Sequence, residues 1–210
     1  VLSAVKVVLE TLGVNDASVP LGVAFPAIVK HGRTLSAANV SDNWIGFEAE
    51  KFFEDGLGRD IHFANDADVA GVAEMRFGAA RGAEGLTILT TLGTGIGTAM
   101  IFDDVLIPNS ELGHLHRAKH GKDAEAFAAY SAKERDELDW PEWAARLQWY
   151  YSHVEFLFSP DLFILGGGSA AKLDKFIDRI ETRAPLVAAA SLNQAGIIGA
   201  ALYGAARQED

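Results

Sequence analysis

A glycine-rich segment between two apolar runs constrains the fold of this chain more than any other feature of the sequence. In Thr91–Thr98, hereafter the glycine turn, glycine stands at three alternating positions, and the flanking runs Leu86–Thr90 and Ala99–Phe102 are typical of β-strands. Glycine lets a backbone turn tightly and approach a ligand closely, and free N–H groups in such turns bind phosphate oxygens. The pattern predicts a hairpin whose turn either binds phosphate or carries glycine for conformational reasons alone.

The composition indicates a globular protein of one large or two small domains. Of 210 residues, 49% are apolar and none is cysteine, so disulfides and thiolate metal sites are excluded. The net charge of −11 disfavours a broad basic face for nucleic acid or anionic membranes. No apolar run has membrane-spanning length, and Val1–Leu12 is a periodic helix rather than a secretory leader. We therefore expect a cytoplasmic protein.

Strand and helix patterns alternate along the chain, which favours an α/β architecture. The predicted strands are residues 21–25, 61–64, 86–90, 99–102, 105–107, 162–165 and 186–190. The predicted helices are residues 1–12, one that follows residues 65–68 and extends to 81, 139–158, one through residues 173–180, and 195–206.

The helix that starts after Asp139 is the best defined. Asp139 can cap it while Glu142 reaches back, which is the capping-box pattern. Its apolar side chains keep to one stripe, which we interpret as protein core or as a dimer interface. The members of this stripe are Trp143, Leu147, Tyr150, Val154, Leu157 and Phe158.

Five ordered motifs extend over essentially the whole chain. They are FANDADVAGVAE (63–74), LGTGIGT (92–98), PNSELGHL (108–115), DLFILGGG (161–168) and AGIIGAA (195–201). Together they resemble the ROK family of sugar kinases. The segment Ser36–Val40 and the helix Trp140–Gln148 resemble its polyphosphate-using branch, the polyphosphate glucokinases and polyphosphate/ATP glucomannokinases.

The resemblance implies a two-lobed fold of the actin-like/ribonuclease-H-like ATPase (hexokinase) type. The small lobe would comprise residues 1–84 and be completed by a terminal helix at 199–210, and the large lobe would comprise residues 85–198. Family members begin with a strand that carries Asp-x-Gly-Gly-Thr/Ser, and no such motif opens this sequence. We therefore expect that the N-terminal strands of the first lobe are lacking and that its sheet edge is unpaired. The family habit also implies a homodimer.

The activity implied by the resemblance is phosphorylation of the O6 hydroxyl of glucose, or of mannose, by polyphosphate or ATP with Mg²⁺. The alternatives are a strictly ATP-dependent sugar kinase and a non-catalytic sugar-binding protein of the ROK repressor type. The second alternative lacks support from a basic DNA-binding segment.

Asp66 is the predicted general base. A sugar hydroxyl is a poor nucleophile and needs a carboxylate within hydrogen-bond reach. Asp66 follows a strand and precedes a helix, where α/β sheets present catalytic side chains, and the resemblance implies the same role. The alternative is that Asp66 only caps the helix, with Asp68 as a competing cap. Asn65 can donate to and accept from sugar hydroxyls.

Three further side chains are predicted to contact the sugar. Glu111 and His114 are three residues apart, so in a helical turn they face the same way. In most ROK kinases the matching histidine binds zinc with three cysteines, and because this chain has none, we expect no zinc and a direct sugar contact by His114. Glu125 matches the last sugar-binding glutamate of the family, or else lies on a solvated helix face.

The donor is expected to bind at two glycine-rich segments. Gly93, Thr94, Gly95 and Gly97 would hold the terminal phosphates. Gly166, Gly167 and Gly168 resemble the turn on the adenosine side, or else form a helix entry. Two stretches of positive charge, one with Arg117 and one with Lys133, are given no role in the site.

Overall fold

The computed structural model describes residues 1–14, 16–38, 40–117, 121–191 and 194–206. Part of the segment 36–40 and the last residues of the segment 199–210 therefore lie outside the described residues. The α-helices are α1 (Leu2–Leu12), α2 (Ala49–Leu57), α3 (Asp66–Phe77), α4 (Ala124–Ala128), α5 (Tyr130–Arg135), α6 (Trp140–Phe158) and α7 (Ala195–Ala206). In these ranges, no helix is long and apolar enough to cross a bilayer.

The largest sheet is mixed and has five strands. The strands are β1 (Leu21–Phe25), β2 (Val29–Lys30), β3 (Arg33–Thr34), β4 (Ile61–Asn65), β5 (Leu86–Leu92), β6 (Ile96–Phe102), β7 (Val105–Ile107), β8 (His116–Arg117), β9 (Lys122–Asp123), β10 (Leu162–Gly166) and β11 (Leu186–Ala188). The five-stranded sheet has the order β11-β10-β5-β6-β7, with β10 parallel to both β5 and β11. The predicted meander β5-β6-β7 is confirmed as an antiparallel unit.

Helix α6 covers one face of this sheet. It begins at Asp139 with the predicted capping box. Trp143, Leu147, Tyr150 and Val154 are each 0% exposed and pack in the core, so the core interpretation is correct for these residues. Leu157 is 48% exposed and lies outside that core.

Helices α3 and α7 cover the opposite face, and their small residues allow close packing. A Cβ atom on Gly71 would lie 2.7 Å from Ala99 Cβ of β6, and one on Gly199 would lie 1.6 Å from the carbonyl oxygen of Val69. Only a residue without a side chain fits the second position, because backbone cannot yield there. Helix α7 is thereby fixed against α3, and it also packs on β1.

A second, smaller sheet pairs β1 with β4 in parallel and supports a separate core with α1 and α2. Phe53 and Phe63 are buried in this core, and Leu2 and Val5 of α1 pack against it. Val8 and Leu12 are 54% and 69% exposed, although the periodicity places them with Val5. The apolar face predicted for α1 is therefore only partly covered by the described residues.

Two predicted helices differ from the structure. Helix α3 ends at Phe77 rather than near Arg81, because Gly78 leaves helical geometry with φ −118° and ψ −149°. After β10 the chain forms short 3-10 helices over Gly168–Lys175, with a kink at Lys172, and over Ile177–Arg179, instead of one α-helix. The pattern of apolar residues cannot distinguish these tighter turns from an α-helix over such short segments.

Glu74 ties the end of α3 to the segment after β11. Its carboxylate is 0% exposed and accepts hydrogen bonds from the N–H groups of Ala79, Ala190 and Ser191, at 2.7, 3.0 and 2.7 Å. Burial opposes ionisation, but these donors outweigh it and lower the pKa of Glu74. The buried carboxylate thus satisfies backbone donors that come from distant parts of the chain.

Replacing Glu74 by Gln should lower the free energy of unfolding by about 1–3 kcal/mol. The NH₂ group of Gln cannot accept a hydrogen bond, so at least one of the backbone N–H groups would lose its acceptor. Urea denaturation of the two proteins measures the difference. Glu10→Gln, on an exposed position of α1, is the matched control and should change stability little. Equal stability of the Glu74→Gln and Glu10→Gln proteins would refute the anchoring role.

Candidate active site

One cleft brings together the sugar-side and donor-side residues predicted from the sequence, apart from Gly166 and Gly168. The cleft has a volume of about 570 Å³. Its lining contains Asn65, Asp66, Gly93, Thr94, Gly95, Gly97, Glu111, His114, Glu125 and Gly167. Segments 26–28 and 36–38 form another wall, which the sequence analysis did not assign to the cleft.

Asp66 lies at the junction of β4 and α3, with its side chain exposed to the cleft. The N-cap of α3 is Asn65, whose Oδ1 accepts from Ala67 and Asp68 N–H at 2.8 and 3.2 Å. Asp66 Oδ1 also accepts from Ala67 N–H, at 2.9 Å. Partial burial raises the pKa of Asp66, with its backbone hydrogen bonds acting in the opposite direction. A carboxylate with a raised pKa is a stronger proton acceptor.

The side chain of Asn65 makes structural hydrogen bonds that its sequence position does not predict. Besides capping α3, its Nδ2 donates to the carbonyl of Ala27 at 3.1 Å, and the residue is 8% exposed. The amide therefore orients the start of α3, and its remaining N–H is what it can offer to a ligand.

Asp68 connects α3 to the loop that carries Glu111. Its Oδ2 accepts from the N–H of Asn109 at 2.7 Å, while its buried Oδ1 has no partner within the described ranges. The pKa of Asp68 is raised to about 7, mainly by burial. The carboxylates of Glu111 and Asp66 also raise this pKa, and the Asn109 donor opposes them. The Asn109 side chain continues the link, since it bonds to both backbone groups of Val29 at 2.8 and 2.9 Å.

Thr98 holds the same loop from the sheet side. Its hydroxyl donates to the carbonyl of Ser110 at 2.6 Å and accepts from the N–H of Leu112 at 3.1 Å. Ser110 donates back to the Thr98 carbonyl at 3.0 Å. Glu111 therefore extends from a loop that is bonded on both sides.

His114 lies between two carboxylates. Its Nδ1 is 2.9 Å from Asp123 Oδ2, and its Nε2 is 3.9 Å from Glu111 Oε2. The hydrogen bond to Asp123 is the main cause of the raised pKa of His114. Burial, together with Asp66 and Glu125, raises the pKa of Glu111, and His114 partly offsets this.

The sequence analysis missed Asp123, although a signal was present. Asp123 precedes the helical residues 124–128 and caps α4 by accepting from Ala126 N–H at 2.8 Å. An aspartate before a helix indicates a cap, but its second contact, to His114, depends on tertiary structure.

Glu125 lies against the glycine turn. Its Oε2 accepts from the N–H of Ile96 at 2.8 Å, and a Cβ atom on Gly95 would lie 2.2 Å from that oxygen. Glycine at position 95 thus makes room for a carboxylate. Glu125, which is predicted to bind the sugar, lines the cleft, and one of its carboxylate oxygens orders the glycine turn.

The turn itself is shorter than the sequence suggests. Strands β5 and β6 pair as far as Leu92 and Ile96, which leaves a loop of residues 93–95. The N–H of Gly93 donates to Gly95 O at 3.0 Å. The N–H groups of Thr94 and Gly95 make no hydrogen bond within the described part of the chain. Two adjacent free donors can bind an anion.

The triple glycine begins beside this turn. Gly166 ends β10, and Gly167 has φ 81°. A Cβ atom on Gly167 would lie 2.7 Å from the backbone N of Leu92. The backbone of this segment therefore passes too close to the end of β5 to leave room for a side chain. Gly168 opens the 3-10 helix, as in the helix-entry alternative.

The free energy of unfolding should depend on pH through Asp68. Between the ordinary carboxyl pKa near 4 and the folded-state value of about 7, the folded protein binds more protons than the unfolded chain, so stability falls as pH rises through this range. Asp68→Asn should remove this part of the dependence, because Asn binds no proton. Denaturation at pH 5 and pH 8 measures it.

The exposed Asp178→Asn is the matched control for Asp68→Asn and should keep the wild-type pH dependence. If Asp68→Asn and wild type lose the same stability between pH 5 and pH 8, Asp68 does not bind that proton.

Asp123→Asn should lower the pKa of His114, because the imidazolium loses its closest negative partner while the helix cap is kept. Titration of the histidine ring signals by NMR measures this pKa directly. The signals of His31 and His153, on other elements, are internal references. An unchanged His114 titration would exclude the hydrogen bond to Asp123.

Comparisons with known proteins identify the family of this chain. The ROK family model matches residues 2–126. The chain is 44% identical to the polyphosphate glucokinase of Mycobacterium tuberculosis over 202 residues, covering 96% of this chain and 76% of that protein. It is 46% identical to the inorganic polyphosphate/ATP-glucomannokinase of Arthrobacter sp. strain KM, with a TM-score of 0.92, covering 98% of this chain and 82% of that structure.

The fold is shared more widely than the sequence. A ROK family glucokinase from Streptomyces griseus is 21% identical and superposes with a TM-score of 0.81, covering 99% of this chain and 87% of that structure. The expected hexokinase-type α/β fold is thereby confirmed. On the family match and the identity to its relatives, this chain belongs to the ROK family of sugar kinases.

Proposed function

We propose that this chain is a glucokinase that transfers a phosphoryl group from polyphosphate or ATP to the O6 hydroxyl of glucose. One observation carries the proposal: the carboxylate of Asp66 and the free N–H groups of the glycine turn line the same cleft. A proton acceptor and an anion site in one cleft are what phosphoryl transfer to an alcohol requires. The names of the similar proteins from Mycobacterium and Arthrobacter support the choice of glucose, polyphosphate and ATP.

Asp66 would act as the general base. Its raised pKa helps it to accept the proton from O6 as the new bond to phosphorus forms. The N-cap and the β4 pairing fix the backbone of residue 66, so little reorganisation is needed.

The sugar would bind through the polar groups around Asp66. Glu111 and Glu125 offer acceptors, Asn65 offers an N–H, and the Nε2 side of His114 remains open to a hydroxyl because Nδ1 is engaged by Asp123. Mannose differs from glucose in the orientation of one hydroxyl, and we propose that it is also accepted.

The donor phosphates would bind at the glycine turn, where Thr94 and Gly95 donate backbone N–H groups. Gly97 has no side chain and would leave these N–H groups accessible to the phosphates. Gly166, Gly167 and Gly168 would border the rest of the donor. Four carboxylates lie near this region and repel a phosphoryl group, namely those of Asp66, Asp68, Glu111 and Glu125. A positive charge is therefore needed to neutralise the transferred phosphoryl group.

Mg²⁺ is the cation that we assign to this role. No three histidine, aspartate or glutamate side chains form a metal cage among the described residues. Mg²⁺ needs none, because it commonly binds through one or two carboxylates, water and substrate phosphates. Glu111 faces the cleft and would supply such a carboxylate, while Asp66 stays available as the proton acceptor. When bound, the ion neutralises charge on the phosphoryl oxygens. We expect no zinc at His114.

We further propose the lobe assignment made from the sequence, with residues 1–84 and 199–210 in the small lobe and residues 85–198 in the large one. The packing of α7 on α3 and β1 supports it. A homodimer is proposed because Phe156 and Leu157 of α6 leave apolar surface, at 79% and 48% exposure. We also propose a cytoplasmic location, with which the cysteine-free composition is compatible.

Two alternatives remain distinct from this proposal. A strictly ATP-dependent kinase would show turnover with ATP alone. A binding-only protein would retain glucose and show no turnover with either donor. Only the second would leave Asp66 without a chemical role.

Coupled detection of glucose 6-phosphate, with Mg²⁺ and with ATP or polyphosphate as donor, tests the proposal. Asp66→Asn should lower kcat by at least about 100-fold, because Asn cannot accept the proton. The exposed Asp42→Asn is the matched control and should retain activity. Glucose binding by an Asp66→Asn protein without turnover would separate catalysis from folding.

The pH profile gives a second readout. Because the pKa of Asp66 is raised, kcat/KM should fall on acidification with a midpoint above the ordinary carboxyl value near 4. Full activity of Asp66→Asn, or product formation with neither donor by the wild type, would contradict the proposal.

A further inference from the structure

Three lysine ammonium groups gather on two aromatic rings outside the cleft. Lys172 Nζ is 2.8 Å from Tyr130 Oη and 5.0 Å from the ring centroid. Lys133 Nζ and Lys175 Nζ lie 4.6 and 5.3 Å from the ring of Trp140. The Tyr130 and Trp140 rings are 6.3 Å apart. These five residues form the lysine–aromatic cluster.

The cluster is joined directly to both glycine-rich segments. Ser131, next to Tyr130, donates from its N–H to Gly93 O at 3.2 Å and from its hydroxyl to Thr94 O at 2.5 Å. Lys172 and Lys175 lie on the 3-10 helix that begins at Gly168. Lys172 is four residues from that start, at a kink with φ −120° and ψ 19°. The three lysines therefore lie on two segments, one that is hydrogen-bonded to the glycine turn and one that begins at the triple glycine.

The ammonium charges of the cluster are held without being neutralised by an ion pair. The ion pairs between described residues do not include Lys133, Lys172 or Lys175. An aromatic face attracts an ammonium group but leaves its charge available to an anion, unlike a carboxylate. The ring of Trp140 is itself fixed, stacked at 6.0 Å on the buried Phe176. The cations are therefore preorganised.

The cluster places three positive charges together on a protein with a net charge of −11. The acidic balance repels a long polyanion unless cations are concentrated along its path. The simpler interpretation is a solvated surface in which Lys133 only donates to the carbonyl of Leu138, after the end of α5, at 2.7 Å. The observation that favours a shared role is that Lys172 and Lys175 come from another element and lie at the rings of Tyr130 and Trp140.

We propose that the lysine–aromatic cluster binds the internal phosphates of a polyphosphate chain whose terminal phosphate lies at the glycine turn. This inference rests on the proposed function, because it extends the donor site of the same reaction. It predicts that the cluster contributes more to the binding of long chains than to that of ATP or tripolyphosphate, which have few phosphates beyond the terminal one.

The double substitution Lys172→Gln/Lys175→Gln tests the proposal while leaving the Lys133 contact to Leu138 intact. The matched control is Lys6→Gln/Lys51→Gln, which removes the same charge from exposed positions on α1 and α2. Initial rates are measured with long-chain polyphosphate, tripolyphosphate and ATP, and thermal unfolding confirms that each protein is folded.

The cluster variant should lower kcat/KM for long-chain polyphosphate by at least about tenfold, mainly through KM, and change the other two donors less than about twofold. The control should resemble the wild type with all donors. Equal losses with all donors, no loss with long chains, or an equal loss in the control would overturn the proposal.

A binding measurement separates this inference from the proposed function. Long-chain polyphosphate is titrated against the wild type and the cluster variant without glucose. If no donor supports turnover, the proposed function fails, but weaker polyphosphate binding by the variant still supports the cluster. Equal binding by the two proteins overturns the cluster whatever the activity.

Discussion

The close packing of α3 is the constraint on which the rest of the site depends. Its first turn approaches β6 so closely that a Cβ atom on Gly97 would lie 3.0 Å from Ala67 Cβ. Further along α3, small residues allow β6 to pack closely on one side of the helix and α7 on the other. Because Asp66 opens this helix and the glycine turn precedes β6, the same contacts bring a carboxylate and the free N–H groups of the turn into one cleft.

Burial is the largest cause of the raised pKa values of Asp66, Asp68 and Glu111. Neighbouring carboxylates also raise the pKa values of Asp68 and Glu111. Such carboxyl groups suit proton transfer, but they oppose the binding of a phosphorylated donor. In the function that we propose, the free backbone N–H groups of the glycine turn and a divalent cation supply the compensating charge.

The sequence by itself determined much of the architecture, because the relevant signals are local. Periodicity and capping located α6, and alternation with glycine located the β5-β6 hairpin. Five ordered motifs pointed to the ROK family, which the comparisons establish. The motif residues Asp66, Glu111, His114 and Glu125 could be named because each lies in a short segment with its own pattern, and the structure brings them into one cleft.

Only the tertiary structure decided the contacts that join distant segments. Asp123 orients His114, and Asp68 is linked through Asn109 to Val29, by hydrogen bonds that no spacing in the chain predicts. Lys172 and Lys133 come together because two separate elements meet at Tyr130 and Trp140. A sequence pattern reports the periodicity of one element, whereas these interactions depend on how elements pack, which is set by side-chain volume and close backbone approach across the whole core.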